Sequence, residues 1–260
     1  MIVSVIIPTH NRCEMLQKAI NSTLAQQEVD IDIIVVDDVS TDATASVMSS
    51  YTNIKYIQNN ENLGPGKTRQ KGFLAAKGKY MVFLDDDDYY TDLLFFKKAV
   101  DLMEKNPNLA FVSGNVQNYE VAYKRYKNTN VGLEGFINGE DYFRNFMIKY
   151  KKPTSTFPTV FRKHILDQAD FKNMEMMNDS SIYLRALLLG DAYILNDIVG
   201  VYTIHDSNIS QKISIPFLCE NLLENGEIII SLKANLKHTY MRRNKNHLQT
   251  TKDLHRNYHP

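Results

Sequence analysis

Four consecutive carboxylates, Asp85 to Asp88, follow directly on the apolar run Tyr80 to Leu84. Such a run reads as a strand deep in a sheet. Four acids at its C-terminal end repel one another unless a cation or its equivalent is held between them. Oxygen-rich clusters suit hard ions such as Mg²⁺ or Mn²⁺, and these bring phosphates with them. The chemistry indicated is a metal–diphosphate site at the edge of an α/β sheet.

Two further polar clusters follow apolar runs in the same way. Pro8-Thr9-His10-Asn11 ends the run Ile2 to Ile7, and Asp37-Asp38 ends the run Ile31 to Val36. The intervening sequence has helical character. Asn11 with Glu14 resembles a capping box, and Met15, Leu16, Ala19, Ile20, Thr23 and Leu24 share one helical face. Ser40 or Thr41 can cap a helix to about residue 50, Pro65 starts one reaching Ala76, and Thr91 can cap one ending near Asn106. Residues 54–58 and 109–113 read as further strands. Strands separated by helices imply right-handed βαβ units and a mostly parallel sheet, with ligands beyond the carboxyl ends of its strands. The three polar clusters should therefore meet in space.

The second half is less periodic. Residues 116–135 read as a loop or irregular strand, 140–149 and 179–189 as helices, 153–162 as extended, 199–204 as a strand and 217–236 as a helix. The boundaries expected are a regular first half over 1–115, a less regular second half of the same domain over 116–213, and a basic helical extension over 214–260.

Composition bounds the function. The 260 residues carry 30 basic and 30 acidic side chains, so nothing at whole-chain level suggests nucleic acid. The two cysteines, Cys13 and Cys219, offer no disulfide framework, which suggests a reducing, cytoplasmic setting. No stretch approaches the roughly 18–20 apolar residues of a membrane span, and the apolar N-terminus reads as a first strand. From Lys233 onward seven Lys/Arg face one acid, Asp253, a pattern compatible with peripheral contact at the inner membrane face.

Six segments occur in an order that resembles family 2 glycosyltransferases of the GT-A fold. They are VSVIIPTHNR (3–12), IIVVDDVSTD (33–42), NLGPGKTRQKG (62–72), KGKYMVFLDDDDYY (77–90), NDSSIYLR (178–185) and YTIHDSNIS (202–210). The resemblance implies a Rossmann-like α/β sheet flanked by helices. It also implies an inverting transfer from a UDP-sugar to an acceptor hydroxyl of a glycan or lipid-linked molecule. Asp87 would coordinate Mn²⁺ or Mg²⁺ with His205 as a further ligand, and Asp85 and Asp86 would lie beside the nucleotide. Asp38 would accept a hydrogen bond from the uracil ring. Pro8, Thr9, Asn11 and Arg12 would hold the nucleotide, as would Gly64, Lys67 and Arg69. Ser210 would close over the donor. Asp179 would be the general base. Asn178 departs from the pattern, standing where relatives carry glutamate. One or two of Tyr89, Tyr90, Phe157 and Tyr183 would line the acceptor cleft.

Two other classes compete. A sugar-1-phosphate nucleotidyltransferase would carry a glycine-rich loop after the first strand, where this chain reads PTHNR. A binding module with a vestigial site would have lost part of the set Asp38, Asp87, Asp179 and His205, and all four are present.

Overall fold

The computed structural model describes residues 2–174, 178–206 and 208. Ser210, the helix expected over 217–236, Cys219 and the basic segment from Lys233 lie outside the described residues.

Four short strands rich in branched residues build the first half of the sheet: β1 (Ile2–Thr9), β2 (Asp30–Asp37), β3 (Lys55–Gln58) and β4 (Tyr80–Phe83). They run parallel in the order β3-β2-β1-β4. The crossovers are α1 (Cys13–Leu24), α2 (Thr44–Met48) and α3 (Gly64–Ala75). Both faces of β1 and β4 and of the second half of β2 are covered, which is why they read as continuous apolar runs, whereas β3 is a more polar edge strand. Val3, Val5 and Ile7 enter one core layer and Ile6 the other. Helix α3 lies so close to β1 that a Cβ on Gly72 would stand 2.3 Å from Ile6 Cγ2.

The second half contains β5 (Tyr89–Tyr90), α4 (Phe95–Lys105), β6 (Leu109–Glu120), β7 (Arg125–Asn128), β8 (Gly135–Ile137), α5 (Gly139–Arg144), β9 (Thr159–Arg162), α6 (Lys163–Gln168), α7 (Asp179–Leu187) and β10 (Asp191–Ile204). The sheet continues from β4 through β9, β6 and β10 to β5, with β7 on β6 and β8 on β10. Strand β9 is antiparallel to both β4 and β6, so the parallel order of the first half becomes mixed. No helix among the described residues is long and apolar enough to cross a membrane.

Several local expectations are corrected. Of the loop or irregular strand expected over 116–135, residues 116–120 continue β6, and Lys124, at φ 48°, turns the chain into β7. The polar end of β6 is held by its pairing with β10, not by strand propensity. Strand β10 likewise starts at Asp191, eight residues before the expected Val199. Asn11 does not cap α1; Asp42 Oδ2 accepts from Cys13 N at 3.0 Å. Asp42 Oδ1 also accepts from Thr44 N at 3.0 Å, replacing Ser40 or Thr41 at the start of α2. Asp92, not Thr91, receives Leu94 N at 2.9 Å before α4. Helix α5 stops at Arg144, and the chain turns over residues 145–150.

Candidate active site

The carboxyl ends of β1, β2 and β4 converge. Asp38 N donates to Thr9 O at 2.8 Å, and His10 Nδ1 lies 2.6 Å from Asp38 O, which joins the first two loops. Asn11, at φ 54°, receives Thr41 N on its Oδ1 at 2.7 Å and donates its own N–H to Ser40 Oγ at 2.9 Å. Thr9 Oγ1 donates to Asp86 Oδ2 at 2.8 Å, tying the first loop to the aspartate run. Pro8 is buried one residue earlier, opposite Val36.

Each of the four aspartates has its own partners. Asp85 forms an ion pair with Arg69. Asp86 Oδ1 accepts from Arg12 Nη1 at 2.9 Å, and Asp87 Oδ2 accepts from the same nitrogen at 3.0 Å. His205 Nε2 lies 2.9 Å from Asp87 Oδ2. Asp88 Oδ1 accepts from Thr203 N at 2.9 Å, while its buried Oδ2 has no hydrogen-bond partner. The protein's own arginines thus supply positive charge beside the aspartates.

Burial dominates the electrostatics. It pushes the Asp86 carboxyl up to about 6, against the pull of Arg12 and with added repulsion from Asp87. Burial also raises Asp85, opposed chiefly by Arg69. Asp88 is raised well above the ordinary carboxylate range by burial and then by Asp87 and Asp85, so it is the member of the run that most favours the neutral acid. Arg69 is disfavoured by its burial yet held above its usual value by Asp85 and Asp179.

Asp179 is the first residue of α7, and its Oδ2 lies 3.4 Å from Lys152 Nζ. Asn178 caps the helix, its side chain accepting from Ser181 N at 2.9 Å. Asp179 is therefore relieved of the capping role. Its charge acts on Asp85, Asp88 and Arg69.

Asp38 is buried and already well bonded. It accepts from Asn59 Nδ2, Leu63 N and Gly64 N, each at 2.8 Å. Gly64 takes φ 76°, where glycine carries no Cβ penalty, and so delivers its N–H to Asp38. Two carboxylate oxygens accept about four hydrogen bonds, so roughly one position remains. Asp37 is structural: it accepts from Ser40 N at 2.8 Å and from Tyr56 OH at 2.5 Å. Burial and this carboxylate raise the Tyr56 hydroxyl.

Some expected residues are not drawn into the cluster. Lys67 is exposed on α3 and makes no polar side-chain contact among the described residues. Tyr90, Phe157 and Tyr183 are core side chains, not cleft walls; Tyr183 OH, for example, donates to Ser155 O at 2.8 Å. Arg185 Nη1 donates to Ala169 O at 2.8 Å. Lys152 escaped the sequence reading because nothing in its local pattern distinguishes it from Lys151.

Among the described residues no group of three or more His, Cys, Asp or Glu side chains is arranged to hold a metal ion. The two side chains expected as ligands, Asp87 and His205, do meet, through the Asp87 oxygen that Arg12 also holds. Ions of the Mg²⁺ type commonly take one or two protein ligands and complete their shell with phosphate oxygens and water. The pair fits an ion that arrives with a diphosphate.

A sequence model of Glycosyl transferase family 2 matches residues 4–185. The chain is 31% identical over 189 residues to the GalNAc(5)-diNAcBac-PP-undecaprenol beta-1,3-glucosyltransferase of Campylobacter jejuni, covering 70% of this chain and 58% of that protein. It is 25% identical over 224 residues to the putative teichuronic acid biosynthesis glycosyltransferase TuaG of Bacillus subtilis, covering 81% and 82%. The fold matches a crystal structure of S. aureus TarS in complex with UDP-GlcNAc at a TM-score of 0.70 and 21% identity, over 86% of this chain and 65% of that one.

Proposed function

The chain belongs to glycosyl transferase family 2, and on that premise we propose that it is an inverting, metal-dependent enzyme moving a sugar from a UDP-sugar to an acceptor hydroxyl. The setting is the synthesis of a cell-surface glycan, in the cytoplasm or at the inner face of the membrane. The acceptor is a glycan or a lipid-linked sugar, as in the relative named for a PP-undecaprenol substrate.

One observation carries the reading: Arg12, Arg69, Asp87 and His205 form one polar cluster, and Asp179 shares its electrostatic field. Arg12 and Arg69 bind and orient the diphosphate, Thr9 and Asn11 hold the loop beneath the nucleoside, and Asp38 keeps one acceptor position for the uracil N–H. Asp179 takes the proton from the acceptor hydroxyl. The oxygen forms its bond to the anomeric carbon as the bond from that carbon to the diphosphate breaks, and UDP departs from the opposite face. A divalent ion held by Asp87 and His205 supplies Lewis-acid neutralisation of charge on the diphosphate when bound.

The test is UDP release from a panel of UDP-sugars, with and without Mn²⁺. Release that depends on Mn²⁺ and on Asp179 is expected. UDP binding without turnover of any donor, unchanged in Asp179→Ala, would leave only a binding module.

A further inference from the structure

We propose that a cavity walled in part by Lys152, the ion-pair partner of Asp179, receives an anionic group of the acceptor, a phosphate or carboxylate borne by a sugar, through Lys127 and Lys151. This rests on the reading of Asp179 as the base that meets the acceptor. The cavity has a volume of about 380 Å³ and lies between the β6–β7 hairpin and residues 151–154. That is at the small end of the range of about 300–1,000 Å³ for ligand pockets.

Its wall carries Lys127, Lys151 and Lys152 against a single acid, Glu120. Glu120 is already engaged, accepting from Arg125 Nη2 at 2.7 Å. Lys127 and Lys151 are exposed, and no carboxylate among the described residues pairs with either ammonium. The cavity therefore holds uncompensated positive charge. Lysine serves phosphate and carboxylate as a compact point charge.

Two observations connect this charge to sugar chemistry. Lys152 lines the cavity and its Nζ stands 3.4 Å from Asp179 Oδ2, so one side chain links the cavity wall to the base. Asn118, also on the wall, has a buried Oδ1 without a hydrogen-bond partner. An unpaired buried acceptor is unfavourable, and rotation of this amide toward the cavity would satisfy it on a sugar hydroxyl.

The experiment titrates the full chain at low salt with glucose, glucose 6-phosphate and glucuronic acid, by calorimetry or ligand-observed NMR. UDP is titrated into the same preparation. At least one charged sugar is expected to bind about tenfold tighter than glucose, the combined worth of two exposed ion pairs. Which one does so separates phosphate from carboxylate. The preference should vanish in Lys127→Gln/Lys151→Gln, return in Lys127→Arg/Lys151→Arg, and leave UDP affinity unchanged throughout. Equal binding of the three sugars, or a preference that survives the glutamine pair, overturns the proposal. UDP binding with no anion preference sinks the cavity alone, whereas failure of UDP to bind sinks the donor reading. If the glutamine pair misfolds, acylation of wild-type Lys127 and Lys151 decides. Slowing by the charged sugar, relative to exposed Lys55, supports the site, and no slowing refutes it.

Discussion

Lys152 Nζ lies 3.4 Å from Asp179 Oδ2, with side chains 21% and 28% accessible. The pair joins the segment after the 145–150 turn to the first residue of α7. It is long for a salt bridge and partly solvated, so it orients the carboxylate more than it stabilises the fold. Lys152→Met is expected to lower kcat by up to about fivefold, the effect of an ion pair near 1 kcal/mol, with little change in UDP affinity. Lys152→Arg should recover most of the rate. An unchanged kcat in Lys152→Met would show that the contact positions nothing.

Asp179→Asn keeps the side-chain shape, and Asn178 still caps α7. Helix stability and donor binding are therefore retained, while transfer falls by about 10² to 10⁴, the usual worth of a general base. Steady-state rates beside UDP titrations check both halves. Near-normal turnover would remove Asp179 from the mechanism.

Asp38→Ala should affect folding and recognition together. It leaves Leu63 N without its acceptor at the junction of β2 and α3, and leaves Asn59 Nδ2 and Gly64 N only their longer 3.2 Å bonds to Thr68 Oγ1 and Asn62 Oδ1. Orphaned donors of this kind cost about 1–3 kcal/mol. Urea unfolding should register that loss, and nucleotide titrations should show UDP losing its advantage over ADP and GDP. A variant that loses UDP preference at full stability would mean the tether is unimportant.

Gly72→Ala places a Cβ 2.3 Å from Ile6 Cγ2 and 3.3 Å from Val36 Cγ2. Strand and helix are both fixed by a filled core, so the variant should lose about 1–3 kcal/mol to overpacking, measured by chemical denaturation. Full stability would show that α3 shifts freely against β1.

Chelator-treated protein should bind UDP more weakly, with Mn²⁺ restoring the affinity. Asp87→Asn and His205→Gln should each blunt that restoration, read by calorimetry. A Mn²⁺ response that persists in both variants would place the ion elsewhere.

The parallel first half was legible because its information is local. Strands buried on both faces announce themselves as apolar runs, and helices between them by their periodicity. The polar clusters at the strand ends could then be brought to one edge by topology alone, and Thr9, Arg12, Asp85, Asp86 and Asp87 do meet there. Tertiary structure decided which group answers each aspartate. Arg12 and Asp86 are 74 residues apart, and Asp87 and His205, 118 apart, are brought together in the sequence by the family resemblance alone. Their pairing depends on where distant loops are carried by the sheet, which no local pattern encodes. The same reason hid the length of β6 and β10, whose polar ends are strands because they pair with each other and with β7 and β8. It also hid Lys152, an ordinary lysine until the fold sets it beside Asp179.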